Sequence, residues 1–353
     1  MMNLEKLLEK YDYEFPEELI ARKPASPRES ARLLIYDRSF GKTKYGTFRN
    51  LPDYLPRNSV LVFNRTKVLP ARLVVSKPTG GKVRVIYLSA EGGLIKVMAD
   101  RKIETGSDLS LAGKISFRVM SQAEKFYYLK PSFPISKLFG ILEKYGITPI
   151  PPYIKDSPLN ERELREKYQA VFAKDRGSVA APTASLHFSK KLLEGLKKSG
   201  VRMKFVTLHV GLGTFAPLTE ENIRSGKLHG EYYEISRKDA VFLNRAKDNG
   251  ASIIAVGTTV ARTLESASDG SAKLRKLSGS TDIFIRNGYR FGFVDGLITN
   301  FHVPKSSLMM LVSAFIGRKN LLSLYGEAIK RKFRLFSFGD GMLLLPDGRR
   351  AQD

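Results

Sequence analysis

Lys82-Val83-Arg84-Val85-Ile86-Tyr87-Leu88 alternates apolar residues with charged or polar-tipped ones over most of its length. Side chains two apart share one face of an extended chain, so the stretch reads as a half-buried β-strand. The runs LIKVMA (94–99) and KISFRVM (114–120) repeat the pattern, and PTGG, AEGG and ETGSD supply turns between them. A helix around 135–145 follows, then the stiff segment PIPPYI, while the strand candidates RLLIYD and SVLVFN precede the set. This order predicts a small antiparallel β-barrel at 73–150, inserted into a main domain made of 1–72 and 151–353.

Beyond Pro152 the period changes. MKFVTLHVG and SIIAVG read as strands, SKKLLEGLKKSG, DAVFLNRAKDNG, TVARTLESA and SLMMLVSAFIG as helices, and IFI and YRF as short further strands. Three of the four helices stop at a glycine, the residue that tolerates the left-handed conformation ending many helices. Strands alternating with helices predict a mixed α/β main domain with a substantial parallel component.

Composition narrows the function classes. The chain has 353 residues, no cysteine, and 59 Lys plus Arg against 35 Asp plus Glu, a formal charge of +24. The missing cysteines remove disulfides, thiolate metal sites and a cysteine nucleophile. The cationic excess favours a polyanion such as nucleic acid as one partner. The longest strongly apolar run, 308–316, is far too short to span a bilayer, and MMNLEKLLEKYDYEF lacks an apolar signal core, so a cytoplasmic protein without membrane association is expected.

Five stretches could carry chemistry. GSVAAPTASLHF (177–188) places His187 behind small residues that forgo most of the free energy of apolar burial; they suit a close approach, by a ligand or by another segment of backbone. In SIIAVGTTVARTLE an apolar strand runs into Gly257-Thr258-Thr259 and a helix. Free N–H groups and hydroxyls there would suit a carboxylate, phosphate or ribose, and equally a helix cap without ligand. The stretch 207–215, TLHVGLGTF, offers His209 and Phe215 but lacks the third glycine of a dinucleotide fingerprint. In 228–233 an extended chain would set His229 and Glu231 on one face. The stretch 294–304 crowds Asp295, Thr299, Asn300 and His302 into an otherwise apolar segment. No HExxH or GxSxG occurs, so neither a metal site nor a serine hydrolase is expected. All four histidines thus fall in Gly-, Thr-, Ser- or Asn-rich segments, which predicts one shared site.

The segments YDYEFPEELIARKP, SARLL, LVFN, VLPARL, PPYI, YQAVFA, GSVAAPTASLHF, VTLHVGLGTFAP, AVGTTVARTLES, VDGLITNFHVPKSSLMMLVSAF and FSFGDGMLL, in this order and nearly end to end, resemble the S-adenosylmethionine:tRNA ribosyltransferase-isomerases of queuosine biosynthesis. The resemblance implies an α/β domain carrying an inserted β-barrel. It also implies transfer and isomerisation of the ribosyl part of S-adenosylmethionine onto 7-aminomethyl-7-deazaguanine at the tRNA wobble position, giving epoxyqueuosine, adenine and methionine. Such chemistry needs a base near the C5′ protons beside the positive sulfur, a proton donor for departing adenine, and a neutral attacking amine. Within the matching segments, His187, His209, His229, Glu231 and Asp295 are the acid–base candidates. Gly257, Thr258, Thr259 and Arg262 are expected near the methionine carboxylate or ribose, and Gly213, Thr214 and Phe215 near the adenine. Lys190, Lys191, Lys330, Arg331, Lys332 and Arg334 are expected to meet tRNA phosphates. S-adenosylmethionine is then a consumed donor, no metal is needed, and a monomer is expected. The chain departs from the family pattern where FNDTRV becomes FNRTKV with Arg65, MHSE becomes LHGE with Gly230, GLHF becomes SLHF with Ser185, and GGKVEV becomes GGKVRV with Arg84. Two other classes share the charge: an S-adenosylmethionine-dependent RNA methyltransferase, which would leave a methyl group on RNA, and a non-catalytic RNA-binding protein, which would tolerate loss of the histidines.

Overall fold

In the computed structural model, which describes residues 4–211 and 217–347, the main domain is built on a nine-stranded mixed sheet. In chain order its strands are β1 (Arg32–Asp37), β2 (Lys42–Thr47) and β3 (Ser59–Asn64), followed by the short β4 (Thr66–Val68) outside the sheet. The barrel strands come next: β5 (Arg72–Ser76), β6 (Lys82–Glu91), β7 (Leu94–Ala99), β8 (Asp108–Leu111), β9 (Ile115–Ala123) and β10 (Phe126–Pro131). After the barrel, β11 (Asp175–Ser178) pairs with β4, and β12 (Arg202–Leu208), β13 (Lys227–Ile235), β14 (Ser252–Val256), β15 (Ser278–Ile283), β16 (Gly296–Asn300) and β17 (Gly341–Leu344) complete the sheet.

The sheet order is β15-β13-β12-β3-β14-β16-β17-β1-β2, and the four central strands β12, β3, β14 and β16 run parallel. Helices cover both faces of this centre, which is why SVLVFN and IIAV are continuous apolar runs. Val60, Val62, Ile253 and Ala255 pack on one side with Leu243, Val260 and Met309. Leu61, Phe63, Ile254 and Val256 pack on the other with Leu192 and Leu196. Parallel strands also bring their carboxyl ends to one edge, where open α/β sheets place ligands.

The barrel closes in the order β10-β7-β6-β5-β8-β9. Val83, Val85 and Tyr87 of β6 point into it, as the alternation predicts, and Leu138 and Leu142 of the helix Leu138–Tyr145 join that core. One sequence expectation needs correction. Of IFI only Ile283 lies in a strand, and YRF lies in none. The buried Glu265 carboxylate accepts hydrogen bonds from the Tyr289 hydroxyl and from the N–H groups of Gly292, Phe293 and Val294, so this segment wraps a side chain rather than pairing with a strand. GLITN forms the central strand β16, and its polar end is accommodated because Thr299 and Asn300 find partners inside the protein. No helix among the described residues is long and apolar enough to cross a membrane.

Candidate active site

A cavity of about 420 Å³ opens at the carboxyl edge of the central strands. β14 ends there in Gly257, whose φ of +99° is costly for any side chain-bearing residue. The helix Thr258–Ala267 starts at this glycine without a side-chain cap, whereas Ser189, Ser236 and Ser306 each cap the helix that follows them. Gly257, Thr258 and Thr259 therefore line the cavity at an uncapped helix N-terminus, a setting that favours negative charge. Tyr153, Phe301 and Phe336 give it aromatic walls. Burial pushes the Tyr153 phenol up to about 12, so this hydroxyl, 2.6 Å from Ser337 Oγ, stays protonated.

Asn300, at the end of β16, organises the floor. Its Oδ1 accepts from Thr183 Oγ1 at 2.9 Å, while its Nδ2 donates to His187 Nε2 at 3.2 Å and to the Phe336 carbonyl at 3.2 Å. His187 is fully covered, stacks on Phe48 with centroids 4.2 Å apart, and reaches the cavity only through Asn300. Burial, helped by the nearby Arg334 and Arg28 cations, holds its imidazole down to about 3. His302 lines the cavity, its Nε2 2.8 Å from Thr299 Oγ1, and burial pushes it down to about 3 as well. Both rings are neutral near pH 7.

His209 lies against another polar group. Its Nδ1 is 2.9 Å from Thr66 Oγ1, and beside it Arg65, one of the departures from the family pattern, pairs with Asp175 at 2.7 Å. Burial lowers the His209 imidazole, with Asp175 and Glu234 acting against that shift. A methyl group on Gly177 would sit 2.8 Å from the His209 ring, and the backbone there has φ +153°. Gly177→Ala is expected to destabilise the protein by about 2 kcal/mol and move His209. Urea unfolding and the histidine NMR resonances check this; an unchanged midpoint would remove the proposed close packing.

A second cavity, of about 580 Å³, lies between the barrel and the main domain and touches the first where Pro152 and Pro217 line both. His229 and Gly230 form part of its wall, and His229 is exposed. The pairing of β13 with β15 shifts register between Lys227 and Glu231, so the simple alternation expected of His229 and Glu231 fails. Glu231 is buried: Oε1 accepts from the Gly211 N–H at 2.8 Å, and Oε2 takes the Arg262 guanidinium. Arg262, expected at the cofactor, is thus committed to an ion pair, because its position one turn into the helix turns it toward β13, which lies next to the edge strand β15.

Asp295 sits at the opposite, amino end of β16. It accepts from Lys247 Nζ at 2.6 Å and from the Ile253 N–H at 2.9 Å, which ties two neighbouring strands and a helix together. Five strand residues, roughly 17 Å, separate it from the cavity edge, so its acid–base assignment has no support in the geometry. Gly213, Thr214 and Phe215 lie outside the described residues. Lys190, Lys191, Lys330 and Lys332 are exposed. Arg331 is exposed too and lies 4.0 Å over the Tyr45 ring, whereas Arg334 pairs with the buried Asp340 at 3.0 Å. Thr183, Tyr153 and Phe336 are the site residues that sequence reasoning did not single out individually, although each falls in a segment used for the resemblance. Among the described residues no group of three His, Cys, Asp or Glu could hold a metal ion.

The first cavity lies at the carboxyl edge of the sheet's parallel centre and adjoins a second one between barrel and main domain, which gives the chain two neighbouring spaces of ligand size. The family model of the queuosine biosynthesis proteins matches residues 8–344, and the chain belongs to that family. It is similar to the crystal structure of S-adenosylmethionine tRNA ribosyltransferase from Thermotoga maritima, with 31% identity over 95% of this chain and 100% of that one and a TM-score of 0.54.

Proposed function

We propose that this chain transfers and isomerises the ribosyl part of S-adenosylmethionine onto 7-aminomethyl-7-deazaguanine at the tRNA wobble position, releasing adenine and methionine. The observation that carries the reading is the pair of adjoining cavities, one with an uncapped helix N-terminus and aromatic walls, the other with an exposed imidazole facing a basic barrel. The donor supplies a sulfonium centre that acidifies its neighbouring C–H bonds. Its carboxylate is complementary to Thr258 and Thr259, and its adenine to the ring-lined wall. The first cavity's size is that of an ordinary small-molecule site, and no carboxylate among the described residues lines it. Lys190, Lys191, Lys330 and Lys332 provide further phosphate contacts, and the protein acts in the cytoplasm as a monomer.

His229 is the proton-transfer residue in this reading. His187 and His302 are held neutral by burial, and His209 is packed against Gly177, whereas His229 opens to the cavity where the acceptor would lie. His229→Ala is expected to slow single-turnover adenine release by about 100-fold, the scale of one general acid–base group, with little change in donor affinity. An unchanged rate would assign the proton transfer elsewhere. The reaction itself is tested by mass analysis of the wobble nucleoside with chromatography for adenine; S-adenosylhomocysteine and a methylated RNA would instead identify a methyltransferase.

A further inference from the structure

The outer face of the barrel breaks its own pattern on one side. Outward positions of a small barrel are ordinarily polar, yet β6 turns Ile86 and Leu88 outward, β7 Met98 and β10 Phe126, and all four line the cavity between barrel and main domain. Phe126 stands opposite Met98 in the ladder. Cations border this apolar wall: Lys96 Nζ lies 4.2 Å and Lys125 Nζ 5.6 Å from the Phe126 centroid, and Arg72 donates to the Ile150 carbonyl at 3.3 Å. No acidic residue among the described residues lines the cavity, and no ion pair involving a described residue holds Lys96 or Lys125.

We propose that this barrel wall is the platform for the acceptor nucleotide of the RNA: the base stacks on Phe126, and Arg72, Lys96 and Lys125 meet the phosphates on either side. An aromatic face ringed by cations, without competing carboxylates, is the combination that binds unpaired nucleotides. Lysine stems are long and flexible, so Lys96 swings from the ring to a phosphate as the base arrives. A base held here faces His229 and Gly230 on the opposite wall and lies beside the first cavity at Pro152 and Pro217. The inference rests on the reading of the chain as a tRNA-modifying transferase.

The test uses the full chain and an anticodon stem–loop bearing the deazaguanine amine, with binding followed by fluorescence anisotropy over a range of salt. Phe126→Ala should weaken binding about tenfold or more, Phe126→Trp should restore it, and Phe126→Leu should not. The double variant Lys96→Ala/Lys125→Ala should reduce the slope of log K against log salt by about 1.4, since each phosphate that is no longer neutralised accounts for about 0.7. Donor affinity by calorimetry should hold in every variant. Wild-type-like affinity and salt slope in Phe126→Ala and the double variant would overturn the platform, while adenine release by the wild type would leave the ribosyl-transfer reading standing. Weakened variants beside a wild type that releases no adenine would uphold the platform and sink the reaction.

Discussion

Arg262→Ala is expected to destabilise the main domain by about 3–5 kcal/mol, the usual result of removing one partner from a buried ion pair. The side chains of Arg262 and Glu231 are 5% and 2% exposed, so neither charge is solvated by water once the other is gone. Truncating the arginine would remove the guanidinium from a carboxylate that stays buried and whose Oε1 accepts from the Gly211 N–H. The arginine also donates to the Thr281 carbonyl at 3.4 Å, so the change loosens β15 as well as β13. Replacing both members, as in Arg262→Met/Glu231→Leu, should recover most of the loss, since the cost lies in the orphaned charge rather than in the absent attraction. Urea unfolding of Arg262→Met, Glu231→Leu and the double variant provides the cycle. A midpoint for Arg262→Ala within error of wild type, or a double variant no better than the singles, would show that the pair is solvated in solution.

That pair also shows where sequence reading stops. The barrel was legible because KVRVIYL and its neighbours carry a period of two over several strands, and only a half-buried sheet requires it. The central strands were legible as apolar runs, and Gly257-Thr258-Thr259 as the junction of a strand and a helix. Contacts between residues distant along the chain leave no such local trace. Glu231 and Arg262 are separated by 31 positions, and their partnership depends on the sheet order, which no periodicity encodes. Asp295 was misleading for a similar reason: an Asp-Gly beside Thr, Asn and His looks chemical, yet its oxygens bind Lys247 and the backbone of Ile253. Asn300 stood out only as one of several polar residues in an apolar segment and not as the organiser of the floor, because its partners come from distant segments. Nothing in the sequence marks Phe126 and Lys96 as a platform, since the alternation identifies inside and outside but not which outer wall faces another domain.

Stability should fall with acid below about pH 6.5, and down to about pH 5.5, before the carboxylates take up much proton, two histidines should account for most of the slope. In the unfolded chain an imidazole titrates near 6.5. In the fold, burial pushes His187 and His302 down to about 3, so both remain neutral while the unfolded state takes up protons. Their contribution is therefore complete above 6.5 and is lost as the pH drops toward 3. At pH 5 each has lost roughly 2 kcal/mol relative to pH 7, about 4 kcal/mol for the pair, from 1.36 kcal/mol per unit of separation. His209, lowered by the same desolvation, adds in the same direction. Partial burial works to raise Asp175, but hydrogen bonds from Thr207 and Arg65 outweigh it and hold the carboxyl below its usual range, so it starts to destabilise the fold only at lower pH. The window from about 6.5 to 5.5 is thus set largely by the imidazoles. His187→Gln and His302→Gln should each remove close to half of the slope, whatever they do to stability at pH 7, because glutamine occupies similar space without taking a proton. Urea midpoints measured at half-unit intervals decide it: a slope unchanged in both variants would mean that these rings are hydrated and titrate normally in the folded protein. Asn300 gives the result a functional reading, since a proton on His187 Nε2 would oppose the amide that donates to it and turn that side chain away from the cavity floor.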